Sequence, residues 1–188
     1  MNRNLMVAVI MTASVVLSGM LVAQAAPAGK FLGVSKCKMC HASDKKGNQF
    51  AKWKATPHAN AFITLTTAKA KETGAKLGVP DPSTEPKCLK CHVTGYGQPT
   101  DSGFDPKMGV QCESCHGPGE AHIKARTAGM RSVKPDVRAP VPAGEIVANP
   151  DAKVCQTCHN AQSPNFKEFN FAEAVKKVIH PDPRPRTQ

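Results

Sequence analysis

The sequence predicts a mainly α-helical fold with much irregular loop. Only 5% of its 188 residues are aromatic, with a single Trp and a single Tyr, which is little material for an ordinary side-chain core. There are 16 prolines and 14 glycines, so long regular elements should be few. All eight cysteines fall in one repeated pentapeptide. These observations indicate that something other than side chains fills the centre of the fold.

The first element, residues 1–25, is predicted to be a signal peptide. Arg3 supplies a short basic region, residues 5–22 are mostly apolar, and Ala23–Ala25 has the small-x-small pattern read by signal peptidase. The alternative is an uncleaved membrane anchor, because this apolar stretch of about 18 residues is just long enough to span a bilayer. No cysteine near the cleavage site allows lipoprotein attachment. We expect a periplasmic protein that is cleaved before Ala26 and has no membrane anchor, with an extracellular or outer-surface location as the alternative.

The pentapeptide is C-x-x-C-H, the attachment signature of c-type haem. Its two thiols form thioethers with the haem, and the following His binds the iron from the proximal side. The four copies contain Cys37, Cys40 and His41; Cys88, Cys91 and His92; Cys112, Cys115 and His116; and Cys155, Cys158 and His159. Zinc ribbons need no His after every pair, a thioredoxin-like motif would occur once, and disulfide frameworks rarely repeat one pentapeptide. The sequence therefore predicts four covalently bound haems and a multihaem cytochrome fold organised around them.

The histidine count limits how the four irons are ligated. Of seven histidines, the motifs use four, which leaves His58, His122 and His180 as distal ligands. Four haems cannot all have two His ligands, even if subunits exchange ligands. One haem therefore has another sixth ligand or none. Met is the usual substitute for His as the sixth ligand, and Met108 and Met130 are the mature methionines outside a motif.

The net charge of +11 is less extreme than it looks. Loss of Arg3 with the signal peptide lowers the charge to +10. Each ferric His-ligated haem with two ionised propionates contributes about −1, so four haems lower the net charge of the mature protein to roughly +6. We expect the remaining positive charge to steer docking onto an acidic surface of redox partner proteins. Export excludes nucleic acid as the partner.

Helical patterns follow the first motif and precede the end of the chain. Residues 50–58 and 59–77 are predicted to be helical, with an interruption at Pro57 and stop signals at Gly78 and Pro80. Residues 80–87 are predicted to be loop, 93–111 irregular, and the Pro-rich stretch 131–151 a surface linker. Residues 169–180 predict an amphipathic helix that ends before Pro181. His180 lies off its apolar stripe, so a ligand role requires a distorted helix end or a haem on the other side. We expect a tetrahaem domain over 26–180 and a disordered tail over 181–188.

Four blocks of sequence carry a family resemblance. They are Trp53-x4-His58-Ala59-x-Ala61, residues 88–98 from Cys88 to Gln98, residues 109–119 from Gly109 to Gly119, and residues 171–180 from Phe171 to His180. On these residues the chain resembles the tetrahaem cytochrome c-554 family, electron carriers that serve hydroxylamine oxidoreductase in ammonia oxidisers. The resemblance implies a mostly helical fold with stacked haem pairs.

The resemblance also implies a ligand set. It pairs His122 with His41, His58 with His116, and His180 with His159, and it leaves His92 on a five-coordinate haem. The chain after the fourth motif, residues 163–166, would cover that open haem.

These features predict an electron carrier of a respiratory chain rather than an enzyme. One alternative is a reductase of a small nitrogen oxide, such as nitric oxide or hydroxylamine, at the haem of His92. Another is a subunit of an extracellular cytochrome filament.

Overall fold

The computed structural model describes residues 29–129 and 136–186. The predicted signal peptide, Met130 and the last two residues lie outside these ranges. Within them the chain forms short helices joined by loops, and its only β pairing consists of isolated bridges between Phe31 and Thr100 and between Arg138 and Arg186. None of the described helices has the length and apolar composition of a membrane span. The predicted mainly α-helical, loop-rich fold is confirmed.

The helices follow the chain in this order. They are α1 (Val34–His41), α2 (Gln49–Lys54), α3 (Ala61–Thr64), α4 (Ala68–Lys76), α5 (Pro86–His92), α6 (Cys112–His116), α7 (Glu120–Ala128), α8 (Ala152–Gln156) and α9 (Phe171–Val178). Short 3₁₀ turns occur at Asp44–Lys46, Pro57–Asn60 and Pro106–Met108.

The prediction of one helix over residues 59–77 was wrong, because the segment breaks into α3 and α4. Thr67 adopts an extended conformation, and its hydroxyl accepts a hydrogen bond from the Ala70 amide at 3.2 Å. A Thr in this position caps a new helix by satisfying an amide that has no partner within the helix. The break at Pro57 was predicted correctly, since Pro57 starts a 3₁₀ turn after α2 ends.

Each haem-attachment motif lies at a helix end. α1, α5 and α6 all end on the His of their motif, whereas α8 ends inside the fourth motif. Residues three apart share one face of a helix, so the two thiols of C-x-x-C project from the same side. The His that follows lies where the helix stops and the chain can turn away.

The side-chain core is small, as the composition predicts. Among the described residues the buried hydrophobic side chains are Val34, Trp53, Leu65 and Val93. The indole of Trp53 donates a hydrogen bond to the Val110 carbonyl at 2.8 Å. Such a core buries too little apolar surface to account for a stable fold of this size.

A buried polar cluster ties the first motif to the third. The Glu113 carboxylate is 2% exposed and accepts hydrogen bonds from the amides of Leu32, Gly33 and Gly119, the last two at 2.7 Å. The neighbouring Gln111 side chain accepts from the Val34 amide at 2.7 Å. These bonds hold the start of α1 against α6 without any sheet.

The predicted tail and linker make defined contacts within the described residues. The Arg138 amide donates to the Pro185 carbonyl at 2.8 Å, which fastens residues 181–186 to the stretch after 136. That stretch contains neither helix nor strand up to residue 151. The division into a signal peptide, one domain and a tail stays a prediction.

Candidate haem-binding site

Six of the seven histidines, all of which are described, face one another in three pairs. The distances between ring centres are 6.3 Å for His41 and His122, 6.1 Å for His58 and His159, and 5.9 Å for His116 and His180. Each pair joins one motif His to one His from outside the motifs. The structure thus brings together all three predicted distal residues with motif partners.

The spacing of these pairs fits an iron atom between the rings. An imidazole nitrogen lies ~2.0–2.1 Å from a bound metal, so two imidazoles on opposite sides of one iron place their ring centres about 6 Å apart. The residues present therefore fit bis-His haem iron at the first, third and fourth motifs.

Two of the three pairings implied by the resemblance were wrong. His41 and His122 face each other as expected. His58, however, faces His159 rather than His116, and His180 faces His116 rather than His159. The sequence lists which residues are free to be distal ligands, but the pairing depends on how loops cross the fold.

His58 is positioned by a close backbone approach. Its carbonyl accepts from the Val110 amide at 3.0 Å, directly after Gly109. Gly109 has φ +75, and a Cβ there would lie 2.7 Å from the His58 carbonyl oxygen. A side chain is therefore excluded at this position by both conformation and space. The position of this predicted distal ligand therefore depends on a glycine that is distant from it in the sequence.

His180 reaches its partner because α9 stops early. The helix ends at Val178, and Ile179 adopts an extended conformation with ψ 133. His180 consequently leaves the helical path, and its Nδ1 donates to the Val178 carbonyl at 2.6 Å. Of the two possibilities that the helical register left open, the distorted helix end is the one found.

The second ring nitrogen of most of these histidines has a hydrogen-bond acceptor. Metal-binding His commonly donates its other N–H to a carbonyl or carboxylate, which fixes the ring and leaves Nε2 free for the metal. The Nδ1 contacts are His92 to the Ala61 carbonyl (2.7 Å), His116 to the Val147 carbonyl (2.6 Å), His122 to Glu145 Oε1 (2.6 Å) and His41 to Gln49 Oε1 (3.4 Å).

Burial favours the ligand form of these rings. Desolvation lowers the pKa of His41, His58 and His116 below the ordinary value for histidine. A neutral imidazole has the free lone pair that binds a metal, whereas the protonated ring has none. The surroundings of the pairs thus suit metal ligation.

None of the eight cysteines forms a disulfide, which leaves every thiol available for a thioether bond. Cysteine side chains of different motifs lie close enough to interact, in the pairs Cys37 with Cys112, Cys91 with Cys158, and Cys115 with Cys155. The motifs are therefore neighbours in the order second, fourth, third, first.

His92 stands apart from the pairs. No other histidine ring faces it among the described residues, which include all seven histidines. Gln162 contacts its motif through a 2.5 Å hydrogen bond from Lys90. Ser163, Asn165 and Phe166 instead line a cleft of about 290 Å³ together with Cys158 and His159. Whether they also cover the distal side of His92 stays a prediction.

Sequence reasoning missed the residues that support the ligands, above all Glu145. This carboxylate lies in the predicted surface linker, yet its side chain is only 8% exposed and contacts both His122 and Arg126. The spacing of His122 and Arg126, four residues apart on α7, was a usable signal, because such residues share a helix face. The acceptor that they share was not identifiable from the sequence.

Comparisons with known proteins match part of the chain. Residues 36–117 match the family described as cytochrome c554 and c-prime. Cytochrome c-554 of Nitrosomonas europaea is 41% identical over 109 residues, which cover 54% of this chain and 43% of that protein. The chain therefore aligns with less than half the length of this curated relative. No solved structure matches the chain.

The motifs, the imidazole pairs and these similarities define a c-type cytochrome, a class that binds haem covalently. Within that class, residues 36–117 are similar to the cytochrome c-554 family. The family resemblance expected from the sequence is confirmed.

Proposed function

We propose that this chain is an exported tetrahaem cytochrome that carries electrons between redox partners of a respiratory chain. The observation that carries the proposal is the set of three imidazole pairs, each spaced for one iron. Iron with two axial His ligands has no open position. It therefore suits the exchange of single electrons without bond making.

The order of the motifs supports a continuous path for electrons. Thiol contacts join the second motif to the fourth and the first motif to the third, and Cys115 approaches Cys155 to join the two halves. Thioether-forming cysteines mark the edge of each macrocycle. Contacts between such edges support haem-to-haem transfer through the whole chain.

The haem count and the transfer activity can be tested on the purified secreted protein. Denaturing mass spectrometry should show four haem masses added to the mature polypeptide. After chemical reduction, mixing with an oxidised acidic redox protein should reoxidise all four haems in rapid-mixing absorbance measurements. A mass without haem would contradict the cytochrome assignment, and haems that are reduced but never reoxidised would contradict electron carriage.

A basic surface near the first motif supports docking to an acidic partner. From residue 30 to residue 54 the chain contains seven lysines and a single acidic residue, Asp44. Lys36, Lys38, Lys52 and Lys54 are all exposed. Opposite charges steer encounter and make it dependent on salt. Reversing Lys36 and Lys52 to Glu should slow reoxidation at low salt more than the same change at Lys69 and Lys71.

A periplasmic location is part of the proposal and rests on the family and on residues 1–25. Haem attachment to C-x-x-C-H and an N-terminal export signal are consistent with one another. Cell fractionation followed by N-terminal sequencing of the haem-stained band checks this. The expected result is a periplasmic protein that begins at Ala26.

A second candidate function is reduction of a small nitrogen oxide, and the isolation of His92 favours it. With its Nδ1 bonded to Ala61 and no facing imidazole among the described residues, this His would leave one iron position open. Carbon monoxide should bind to about one haem in four of the reduced protein. Steady turnover of nitric oxide or hydroxylamine, faster than by free haem, would establish enzymatic activity. An all-low-spin spectrum without ligand binding would exclude it.

A further inference from the structure

The three imidazole pairs differ in what holds their distal rings. Nδ1 of His180 donates to a neutral backbone carbonyl, that of Val178. Nδ1 of His58 has no hydrogen-bond partner among the described residues. Nδ1 of His122 alone faces a carboxylate, Glu145, at 2.6 Å. The distal ligands of the three haems are therefore chemically unequal.

The carboxylate of Glu145 is held in place from several sides. The same Oε1 that meets His122 also accepts from Arg126 Nε at 2.9 Å and from the second guanidinium nitrogen at 2.5 Å. Arg126 also donates to the Pro140 carbonyl at 2.8 Å. With its side chain 8% exposed, Glu145 lies in a site of low dielectric, where its charge acts strongly on its neighbours.

The loop that carries Glu145 is also anchored to the third motif. Two residues later, the Val147 amide donates to the His116 carbonyl at 2.8 Å, and the Val147 carbonyl accepts from His116 Nδ1 at 2.6 Å. The same short loop thus contacts an axial ligand of the first haem with a carboxylate and an axial ligand of the third haem with a neutral carbonyl. This loop lies after residues 36–117, the region that matches the family.

A carboxylate that accepts the N–H of a ligating imidazole raises the basicity of the nitrogen that binds the metal. A more basic ligand stabilises ferric iron relative to ferrous iron, because ferric iron carries one more positive charge. The reduction potential therefore falls, since hydrogen bonding to the axial ligand is one of the ways in which a protein tunes haem. The Arg126 charge opposes this effect by drawing electron density from Glu145.

We propose that Glu145 lowers the reduction potential of the haem at the first motif, with Arg126 as the opposing charge, so that this haem is the lowest in potential of the three bis-His haems. The proposal rests on the proposed tetrahaem function. The couple involved transfers one electron, which reduces ferric to ferrous iron and is supplied by the redox partner. The proton between His122 and Glu145 stays where it is. Glu145 acts through His122 and is a positioning residue.

The test is a potentiometric titration of the haem-loaded full-length protein, followed by optical and EPR spectra. His122→Ala first identifies the low-spin signal of the affected haem. Glu145→Gln keeps a hydrogen-bond acceptor of the same size but removes the charge. It should raise the potential of this haem, with at least a tenfold change in its ferric-to-ferrous ratio at fixed ambient potential, equal to 59 mV for one electron.

Arg126→Gln should shift the same haem in the opposite direction, because Glu145 would then lose its cation. Glu145→Asp keeps the charge and should restore part of the change seen with Gln. The matched control is Glu72→Gln, which removes an exposed carboxylate paired with Lys76 at 2.7 Å that contacts no histidine. It should move none of the potentials.

Opposite shifts of one haem by the two substitutions support the proposal. It is overturned if Glu145→Gln leaves all low-spin signals and all potentials unchanged, or if all haems shift together. Should Glu145→Gln displace His122 and produce a high-spin signal, Arg126→Gln decides: a lower potential supports the tuning role, and no change overturns it. A failure of the tetrahaem function would appear separately, as fewer than four haem masses.

Discussion

The two described parts of the chain are stabilised in different ways. Residues 29–129 contain every described residue that is buried as a whole, including Trp53 and Glu113, whereas no whole residue in 136–186 is buried, although the Glu145 side chain is only 8% exposed. Both parts nevertheless contain at least one haem-attachment motif and at least one predicted distal histidine. The first part has a small core of buried side chains. The second consists of loops and short helices that hydrogen bonds, such as those of Glu145 and Val147, fasten to the first part, and it depends more on the expected bonds to haem. The comparison indicates that cofactor binding takes the place of a core in the C-terminal part.

The largest expected effect comes from removing the fourth haem with Cys155→Ser and Cys158→Ser. Mass spectrometry should show one haem fewer. Hydrogen exchange should show lost protection over residues 152–170, because α8 has no buried side chain of its own. Residues 29–129 should keep most of their protection.

The matched control is Thr157→Ala, inside the same motif, which removes only an exposed hydroxyl bonded to the Val154 carbonyl at 2.7 Å. It should retain all haems. If the double variant lost protection equally in both regions, the C-terminal part would not depend on haem more than residues 29–129 do.

A smaller effect is expected from His180→Ala, which should release α9 and leave the third haem without its distal imidazole. The EPR spectrum should lose one low-spin signal and gain a high-spin signal. Lys177→Ala, on the exposed side of α9, should leave the spectrum unchanged. The pairing with His116 would be wrong if the affected haem proved to be that of the fourth motif.

Within the first region, Glu113→Ala should reduce stability without changing the spin state of any haem. Three backbone amides would lose their acceptor in a buried site, at about 1 kcal/mol or more each, for a total near 3 kcal/mol. Denaturant unfolding of the haem-loaded protein measures this change. Glu120→Ala is the control, because Glu120 accepts one exposed amide from Lys30 and should cost under about 1 kcal/mol.

The smallest effect is expected from Trp53→Phe, which keeps most of the ring but removes the hydrogen bond to the Val110 carbonyl. The free energy of unfolding should fall by about 1 kcal/mol. Thr66→Ala removes an exposed hydrogen bond from the Thr66 hydroxyl to the Ile63 carbonyl. It should change the free energy of unfolding by about a few tenths of a kcal/mol at most. Equal effects from the two substitutions would contradict a packed centre around Trp53.

Much of the candidate site could be predicted because the chemistry of haem attachment is local. A thioether pair and its proximal His need five consecutive residues, so the four motifs are visible in the sequence alone. The three distal residues followed from elimination, since only seven histidines exist. The helix over 59–77 was mispredicted because the Thr67 cap competes with a pattern that otherwise continues.

The sequence alone determined which residues are candidates for binding haem, that seven histidines cannot give four irons two His ligands each, and that side chains offer little material for the centre. These conclusions depend on counting and on short-range geometry. Only the tertiary structure decided that His58 faces His159, that His180 faces His116, and that Glu145 supports His122. These contacts join residues far apart in the chain, and they arise from where loops cross, a property that no local pattern encodes.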